Sequence, residues 1–251
     1  MGNDRLGRLI DRINADDEIY ALWTAANVTA ITRLGMTDHG PTHVKIVMNI
    51  AIRLFQLLEE ADVHPSIVED HGLERDDAAV VIALASLFHD LGMSIHRADH
   101  EGFSLFVAQD MLRRILLDEY DVPRATIIRS EVLHAIIAHR SGGKPLTLEA
   151  GIVRIADALD MAKGRSRIPF EVGSSVSIHS VSAAAIERVH LEKGADKPIR
   201  LRIEMSNSAG VFQLDQLFRE KLAGSGLEPY IELEARIEAE QEKRIFQEFR
   251  L

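Results

Sequence analysis

The sequence predicts a mainly α protein, with a helical bundle over about residues 1–170 and a small α+β unit over about residues 171–251. Two observations support this division. Apolar residues recur at three- and four-residue spacing through most of the first 165 residues. After Pro169 apolar and polar residues alternate instead, as they do in half-buried strands. Because no repeat, low-complexity run or long linker separates the two parts, we expect them to be in firm contact.

The helical part is divided by turn residues. Pro41 suits the first turn of a helix, and Gly35, Gly164 and the SGGKP turn suit helix ends. Predicted helices lie within residues 4–60, where one ends near 35 and the next begins at 41, and then over about 76–92, 99–120, 123–140 and 147–164.

The segment 76–92, DDAAVVIALASLFHDLG, differs from the other predicted helices. After two acids it is apolar around its full circumference, which is typical of a helix at the centre of a bundle. His89 and Asp90 end it. Ionisable groups at that place must be paired, neutralised or bound to metal to offset desolvation.

The α+β unit is predicted from four alternating stretches and one amphipathic segment. The strands lie at about 175–180, 185–194, 198–206 and 230–238, with a helix over about 210–224.

Composition narrows the function classes. The net charge of -10 argues against a general nucleic-acid binder, and no stretch approaches the roughly 20 apolar residues of a membrane span. The charged N-terminus does not look like a secretory signal, so we expect a cytoplasmic protein. Zero cysteines and 11 histidines mean that a metal would be held by imidazole and carboxylate.

Six residues near predicted helix ends are candidate metal ligands of the types expected for zinc, manganese, iron or nickel. They are His43, His89, Asp90, His100, His139 and Asp157. Any one of these histidines alone is more readily explained as a surface or hydrogen-bonded residue. The hypothesis of a metal site therefore depends on the set.

This set resembles the HD superfamily of metal-dependent phosphohydrolases, which are helical and named for the His-Asp doublet. The resemblance covers roughly residues 38–165. The stretch HAIIAHRSGGKPLTLEAGIVRIADALD is similar to HD-type diadenosine tetraphosphate hydrolases and to the HD-GYP phosphodiesterases, although the GYP triplet is absent.

The resemblance implies a ligand assignment. His43, His89, Asp90 and Asp157 would hold one divalent ion, and His100 and His139 would complete a second site that Asp90 bridges. The ions would be Mn, Fe, Ni, Co or Zn, and a metal-bound hydroxide would attack phosphorus. Met93 stands where many superfamily phosphatases have a lysine.

Cations near the doublet would complete a phosphate clamp. We expect Asp90, Arg97 and Arg140 to take part in catalysis, in preference to Lys45 and Lys144. Among the remaining histidines, His39 is expected at the pocket edge and His134 is expected to be structural.

The leading hypothesis is hydrolysis of a phosphomonoester or phosphodiester small molecule, with a nucleotide or dinucleotide favoured. Two alternatives stay open: an HD-type di-iron oxygenase, and a non-catalytic regulatory protein that senses metal or nucleotide. The exposed strands of the α+β unit offer an edge for a homodimer.

Overall fold

Helices arranged around one buried helix form the first part of the structure. The computed structural model describes residues 3–140, 142–161 and 185–237. The helices of this part are α1 Asp4–Asn14, α2 Asp17–Asn27, α3 Pro41–Glu60, α4 Ser66–His71, α5 Arg75–Phe88, α6 His100–Leu116, α7 Val122–Ala138 and α8 Leu148–Leu159. The predicted helical bundle is confirmed.

Local sequence explains where these helices begin. The side chains of Asp16, Asp121 and Thr147 accept backbone N–H groups in the first turns of α2, α7 and α8. Pro41 begins α3 as expected. A reciprocal capping box between Glu74 and Asp77 begins α5.

The helix after α2 differs from the prediction in its backbone form. The chain continues from α2 as a π-helical turn, Val28–Arg33, where the sequence predicted an ordinary helix as far as Gly35. Gly35 has a φ of 63° and ends this segment, as expected of a residue without a Cβ.

Helix α5 is the centre of the bundle, and α3, α7 and α8 pack against it. All but three of its residues are buried. The stretch Arg75–Ser94 is long and apolar enough to cross a membrane by length and composition alone. However, 94% of its most apolar 18-residue segment is buried inside the fold. Burial by other helices therefore accounts for its hydropathy.

A 3-10 turn, Leu91–Ser94, connects α5 to the segment before α6. The Ser104 hydroxyl of α6 accepts the Gly92 N–H at 2.8 Å and donates to the His89 carbonyl at 2.6 Å. A Cβ at Gly92 would collide with the carbonyl oxygen of His100. This close approach sets the distance between the end of α5 and the start of α6.

The second part is a three-stranded sheet with one interrupted helix. The strands are β1 Ile186–Lys193, β2 Ile199–Met205 and β3 Ile231–Ile237, in the order β1-β2-β3. β1 pairs antiparallel with β2, and β2 pairs parallel with β3, with Ile199 opposite Ile231. The predicted strand at 175–180 and the predicted division at 170/171 lie outside the described residues.

The helix between β2 and β3 has three pieces, together called α9: Gly210–Phe212, the π-helical Gln213–Phe218 and Arg219–Leu222. It packs against α8, while β1 and β2 pack against α3. The buried face of β2 consists of Ile199, Leu201, Ile203 and Met205. The α+β unit is thus in contact with the bundle, as expected.

Candidate metal centre

The turn after α5 aims the His89 ring into a buried space. Its Nδ1 lies 2.8 Å from the Ser86 carbonyl, which only accepts, so Nδ1 carries the proton. Nε2 then faces the centre. It is buried and has no hydrogen-bond partner. A buried polar atom without a hydrogen bond costs free energy unless something binds it.

His139 follows the end of α7, and a backbone carbonyl orients its ring as one does for His89. Its Nδ1 lies 2.5 Å from the Ile136 carbonyl, three residues back in the helix, so Nε2 again has the free lone pair. Its ring centroid lies 4.9 Å from that of His89, with the planes nearly perpendicular.

A carboxylate orients the first histidine of the set. The Nδ1 of His43 lies 2.6 Å from Asp160 Oδ2, just beyond α8. Its Nε2 then faces the two candidate carboxylates, 3.3 Å from Asp90 Oδ2 and 3.5 Å from Asp157 Oδ1. A carboxylate behind an imidazole is a common support for a metal-bound histidine, because it fixes the tautomer and the ring.

The Asp90 carboxylate lies between two groups of imidazoles. Its Oδ2 is 3.3 Å from the Nε2 atoms of both His43 and His89, and its Oδ1 is 3.3 Å from His100 Nε2. The two oxygens therefore face different imidazoles. This is the arrangement that a carboxylate shared by two ions requires.

All six candidate residues converge on one centre. Donor atoms within 4.8 Å of one another form three overlapping groups: His43, His89 and Asp157; His89, Asp90 and His139; and His100, Glu101 and His139. The His100 and His139 ring centroids are 5.6 Å apart. The structure thus brings the six predicted residues close together, and Glu101 joins them in the third group.

The charges of the centre shift the pKa values of its aspartates and histidines. Burial raises the pKa of Asp90 and of Asp157, but the neighbouring histidines outweigh burial and hold both pKa values well below the usual range. Lys221 also lowers the pKa of Asp157. Burial and the adjacent His89 lower the pKa of His139 to about 3, so this ring is neutral at neutral pH.

The His100 end carries more positive charge. Burial lowers the pKa of His100, but hydrogen bonding to Asp90 and the nearby charge of Glu101 outweigh burial, and the net shift is upward. Arg97 Nη1 lies 3.0 Å from His100 Nδ1. Of the two arginines expected in a phosphate clamp, Arg97 thus contacts a residue of the centre.

Arg140 is placed differently. Its side chain is exposed, and its carbonyl accepts from Arg154 at 2.8 Å. Among the contacts of the described residues, none joins its side chain to the six candidates. Lys45 Nζ lies 5.7 Å from the centroid of the Trp23 ring.

Two other histidines lie near the centre or the turn after α7. His39 is buried, with its ring 5.6 Å from that of His43, at the edge of the centre. His134 Nε2 accepts the Leu146 N–H at 3.1 Å and so supports the turn between α7 and α8.

Three residues near the centre were missed from sequence. Asp160 was signalled by its place three residues after Asp157, which puts it on the same side of the helix end. Glu101 directly follows a candidate ligand. Lys221 gave no signal, since it comes from α9, far along the chain.

The donor set fits divalent transition ions. Imidazole and carboxylate suit manganese, iron, cobalt, nickel and zinc, and such an ion would bind His89 Nε2, which has no hydrogen-bond partner.

Comparison with known proteins agrees with the geometry. The family model for the HD domain matches residues 41–162, a range that contains all six candidate residues. The chain belongs to the HD domain family.

Two curated relatives extend this result. This HD domain protein is 40% identical over 240 residues to the uncharacterized protein MJ1020 of Methanocaldococcus jannaschii, covering 96% of the chain and 92% of that relative. It is 26% identical over 160 residues to Ribonuclease Y of Opitutus terrae, covering 61% of the chain but only 28% of that relative. The first relationship includes the α+β unit as well as the HD domain.

Proposed function

We propose that this HD domain protein is a divalent-metal-dependent hydrolase of a small phosphorylated molecule, with a nucleotide or dinucleotide preferred. One observation carries the proposal. Four imidazoles and two carboxylates from five separate stretches of chain lie together in one buried centre, where His89 Nε2 has no hydrogen-bond partner. A purely structural cluster would satisfy its own donors and acceptors.

The residues of the chain would divide the work. Ions bound in such a centre lower the pKa of a coordinated water and neutralise charge on phosphate oxygens. His43, His89 and Asp157 would hold the first ion together with Asp90, while His100 and His139 would complete the second site on the other side of Asp90. The helix-end carbonyls and Asp160 keep the imidazole lone pairs aimed inward before any ion arrives.

Cations at the edge of the centre would bind the phosphate. Arg97 is the better placed of the two predicted arginines, because it already contacts His100. Its guanidinium would offer paired N–H donors to phosphate oxygens. The role of Arg140 stays a prediction. With Met93 in place of a lysine after the doublet, the leaving group must be protonated by another group.

The name of one relative and the net charge of the chain bear on the substrate class. Ribonuclease Y is named for action on RNA, and a phosphodiester substrate would agree with that name. The net charge of -10 favours a small ligand over an RNA chain. A short oligoribonucleotide therefore belongs in the substrate panel beside nucleotides, cyclic dinucleotides and diadenosine polyphosphates.

The experiment is a hydrolysis screen of metal-free protein reconstituted with Mn²⁺, Co²⁺, Ni²⁺ or Fe²⁺. We expect at least one phosphoester to be hydrolysed, and activity to be absent from metal-free protein. Asp90→Ala is the inactive variant, and Asp110→Ala, an exposed carboxylate of α6, is the matched control. Oxygen uptake by the iron-loaded protein without phosphate release would favour the oxygenase instead. Nucleotide binding without turnover under any metal would favour the regulatory alternative.

The remaining expectations stand as part of the proposal. We place the protein in the cytoplasm, with small phosphorylated molecules as its ligands and neither membrane nor nucleic acid as a partner. The edge of β3, where Leu233 and Ile237 are exposed, is where a homodimer would form.

A further inference from the structure

Helix α9 of the α+β unit ends directly beside the metal centre. Arg154 of α8 is 2% exposed, and its Nε donates to the Lys221 carbonyl at 2.9 Å. Its Nη1 donates to the Gly143 carbonyl at 2.6 Å, in the turn that follows His139. The last carbonyls of a helix need such donors, so one buried guanidinium fixes the end of α9 against the turn after α7.

The loop after α9 approaches α8 just as closely. A Cβ at Gly151 would collide with the backbone carbonyl oxygen of Ser225. Because α8 also carries Asp157, the same contacts that seat α9 place it beside a candidate ligand.

This docking delivers the side chain of Lys221 to the centre. Its Nζ lies 2.5 Å from the His139 carbonyl and 3.7 Å from Asp157 Oδ2. Asp157 Oδ1 is the oxygen that faces the imidazoles of His43 and His89. Lys221 is near the other oxygen, Oδ2, and so lies on the outer side of this carboxylate. The ammonium is thus within a few ångströms of where ions and phosphate would lie.

The ammonium has binding capacity left over. It has three N–H donors, and the His139 carbonyl accepts one of them. The contact to Asp157 is an ion pair at a distance longer than a hydrogen bond. The side chain is 22% exposed, so the protein does not enclose it completely.

The position of the Lys221 ammonium can be explained by the balance of charges at the centre. Arg97 contacts His100, and Lys221 contacts the His139 carbonyl and pairs with Asp157. A cation beside bound divalent ions is unfavourable unless an anion joins them. A phosphate group shared by the ions and Lys221 would remove that repulsion.

We propose that Lys221, supplied by the α+β unit, binds a phosphate oxygen of the ligand at the metal centre. The inference rests on the proposed function and names a cation from outside the HD domain for its phosphate site. It also gives the α+β unit a role: this unit completes the phosphate site of the HD domain.

The test measures binding of inorganic phosphate to Co²⁺-loaded protein by calorimetry, with bound cobalt counted by elemental analysis. In Lys221→Met we expect phosphate to bind about tenfold or more weakly, since a charged hydrogen bond is lost. Cobalt content should not fall, because removing a cation does not weaken cation binding. Lys221→Arg should recover part of the phosphate affinity.

The matched control is Arg219→Met on the same helix. Arg219 is 79% exposed and pairs with Asp215 at 3.1 Å, away from the centre. It should bind phosphate as the wild type does, and thermal unfolding should show that all three variants are folded.

Two results would overturn the inference. Unchanged phosphate affinity in Lys221→Met would show that the lysine does not touch the anion, and the hydrolase proposal would still stand. Loss of cobalt together with phosphate would show that Lys221 only supports the ligands. Failure of the hydrolase proposal appears elsewhere, as wild-type protein that holds cobalt and hydrolyses no phosphoester.

Discussion

Two buried aspartate clusters in the same bundle show how a structural polar group differs from a ligand site. Asp77, at the start of α5, accepts from Tyr120 at 2.8 Å and from Arg5 at 3.1 Å through Oδ1, and from the Glu74 N–H at 3.0 Å through Oδ2. Every oxygen of this carboxylate has a donor. Burial and Asp77 raise the pKa of Tyr120, so its hydroxyl stays protonated and continues to donate.

Asp90, near the other end of α5, lies in a cluster that is not complete. Two of its neighbours, His43 and His89, direct Nδ1 to Asp160 and to a helix-end carbonyl, and His89 Nε2 has no hydrogen-bond partner. The Asp77 cluster is satisfied within the fold, whereas the Asp90 cluster leaves His89 Nε2 for a ligand to bind. Both are buried, so burial alone does not mark a functional site.

The largest expected effect comes from the incomplete cluster. In Asp90→Ala, the residue shared by the two halves of the centre is lost, and we expect hydrolysis to fall by at least about 10³-fold, because several kcal/mol of metal-derived stabilisation disappear. Reconstituted protein is assayed for activity and for metal content. The helical circular dichroism spectrum should persist, since the bundle core consists of other residues.

Full activity in Asp90→Ala would refute the assignment of the centre. Asp110→Ala, treated identically, should retain both metal and activity.

The complete cluster should give the reverse pattern. Asp77→Ala leaves the Tyr120 hydroxyl, Arg5 and the Glu74 N–H without their acceptor, and we expect a loss of about 3 kcal/mol in the free energy of unfolding. Urea denaturation followed by circular dichroism measures it. Metal content per folded molecule should not change, and a metal-deficient but fully stable Asp77→Ala would break the comparison.

A supporting carboxylate should have an intermediate effect. In Asp160→Asn the amide oxygen still reaches His43 Nδ1 but carries no charge, and we expect Co²⁺ affinity to fall about 10- to 100-fold. Calorimetric titration of metal-free protein measures this. An affinity equal to that of Asp110→Asn would show that Asp160 does not orient the imidazole.

A third buried carboxyl, Glu149, extends the comparison, and its substitution should have a smaller effect on stability. Glu149 of α8 accepts the Ile67 N–H at 3.0 Å through Oε1, and Oε2 has no hydrogen-bond partner. Burial raises the pKa of Glu149 above its ordinary value of 4.5. The folded protein therefore holds this proton more tightly than the unfolded chain, and the associated stability is lost as pH rises through the folded-state pKa.

Glu149→Gln keeps the acceptor and removes the titration. Relative to the wild type, its free energy of unfolding should rise as pH increases above about 4.5 and then level off. Urea denaturation at a series of pH values measures the difference, with exposed Glu69→Gln as control. A difference that does not depend on pH would show that Glu149 stays ionised in the fold.

The bundle and the six candidate residues could be proposed from the sequence because both depend on local features, namely apolar spacing and the residue types at helix ends. The apolar circumference of α5 and the residue types at helix ends require no knowledge of tertiary contacts. Asp160 and Lys221 escaped because their roles arise from pairs that meet only in the fold: His43 and Asp160 are 117 residues apart. The π-helical turn after α2 likewise depends on packing, since nothing in VTAITR distinguishes it from an ordinary helix.

The arginines illustrate the same limit. Both Arg97 and Arg140 lie beside candidate ligands in sequence, and only their side-chain directions separate them. Both are exposed, but Arg97 reaches His100, whereas no described contact joins the Arg140 side chain to a candidate ligand.

The most direct test of the account is anomalous diffraction from crystals grown with Co²⁺. The account predicts cobalt between His89 Nε2 and the Asp90 and Asp157 carboxylates, with a second cobalt on the His100 side of Asp90. Saturating cobalt that leaves His89 Nε2 without an ion would contradict the claim that these residues form a metal centre.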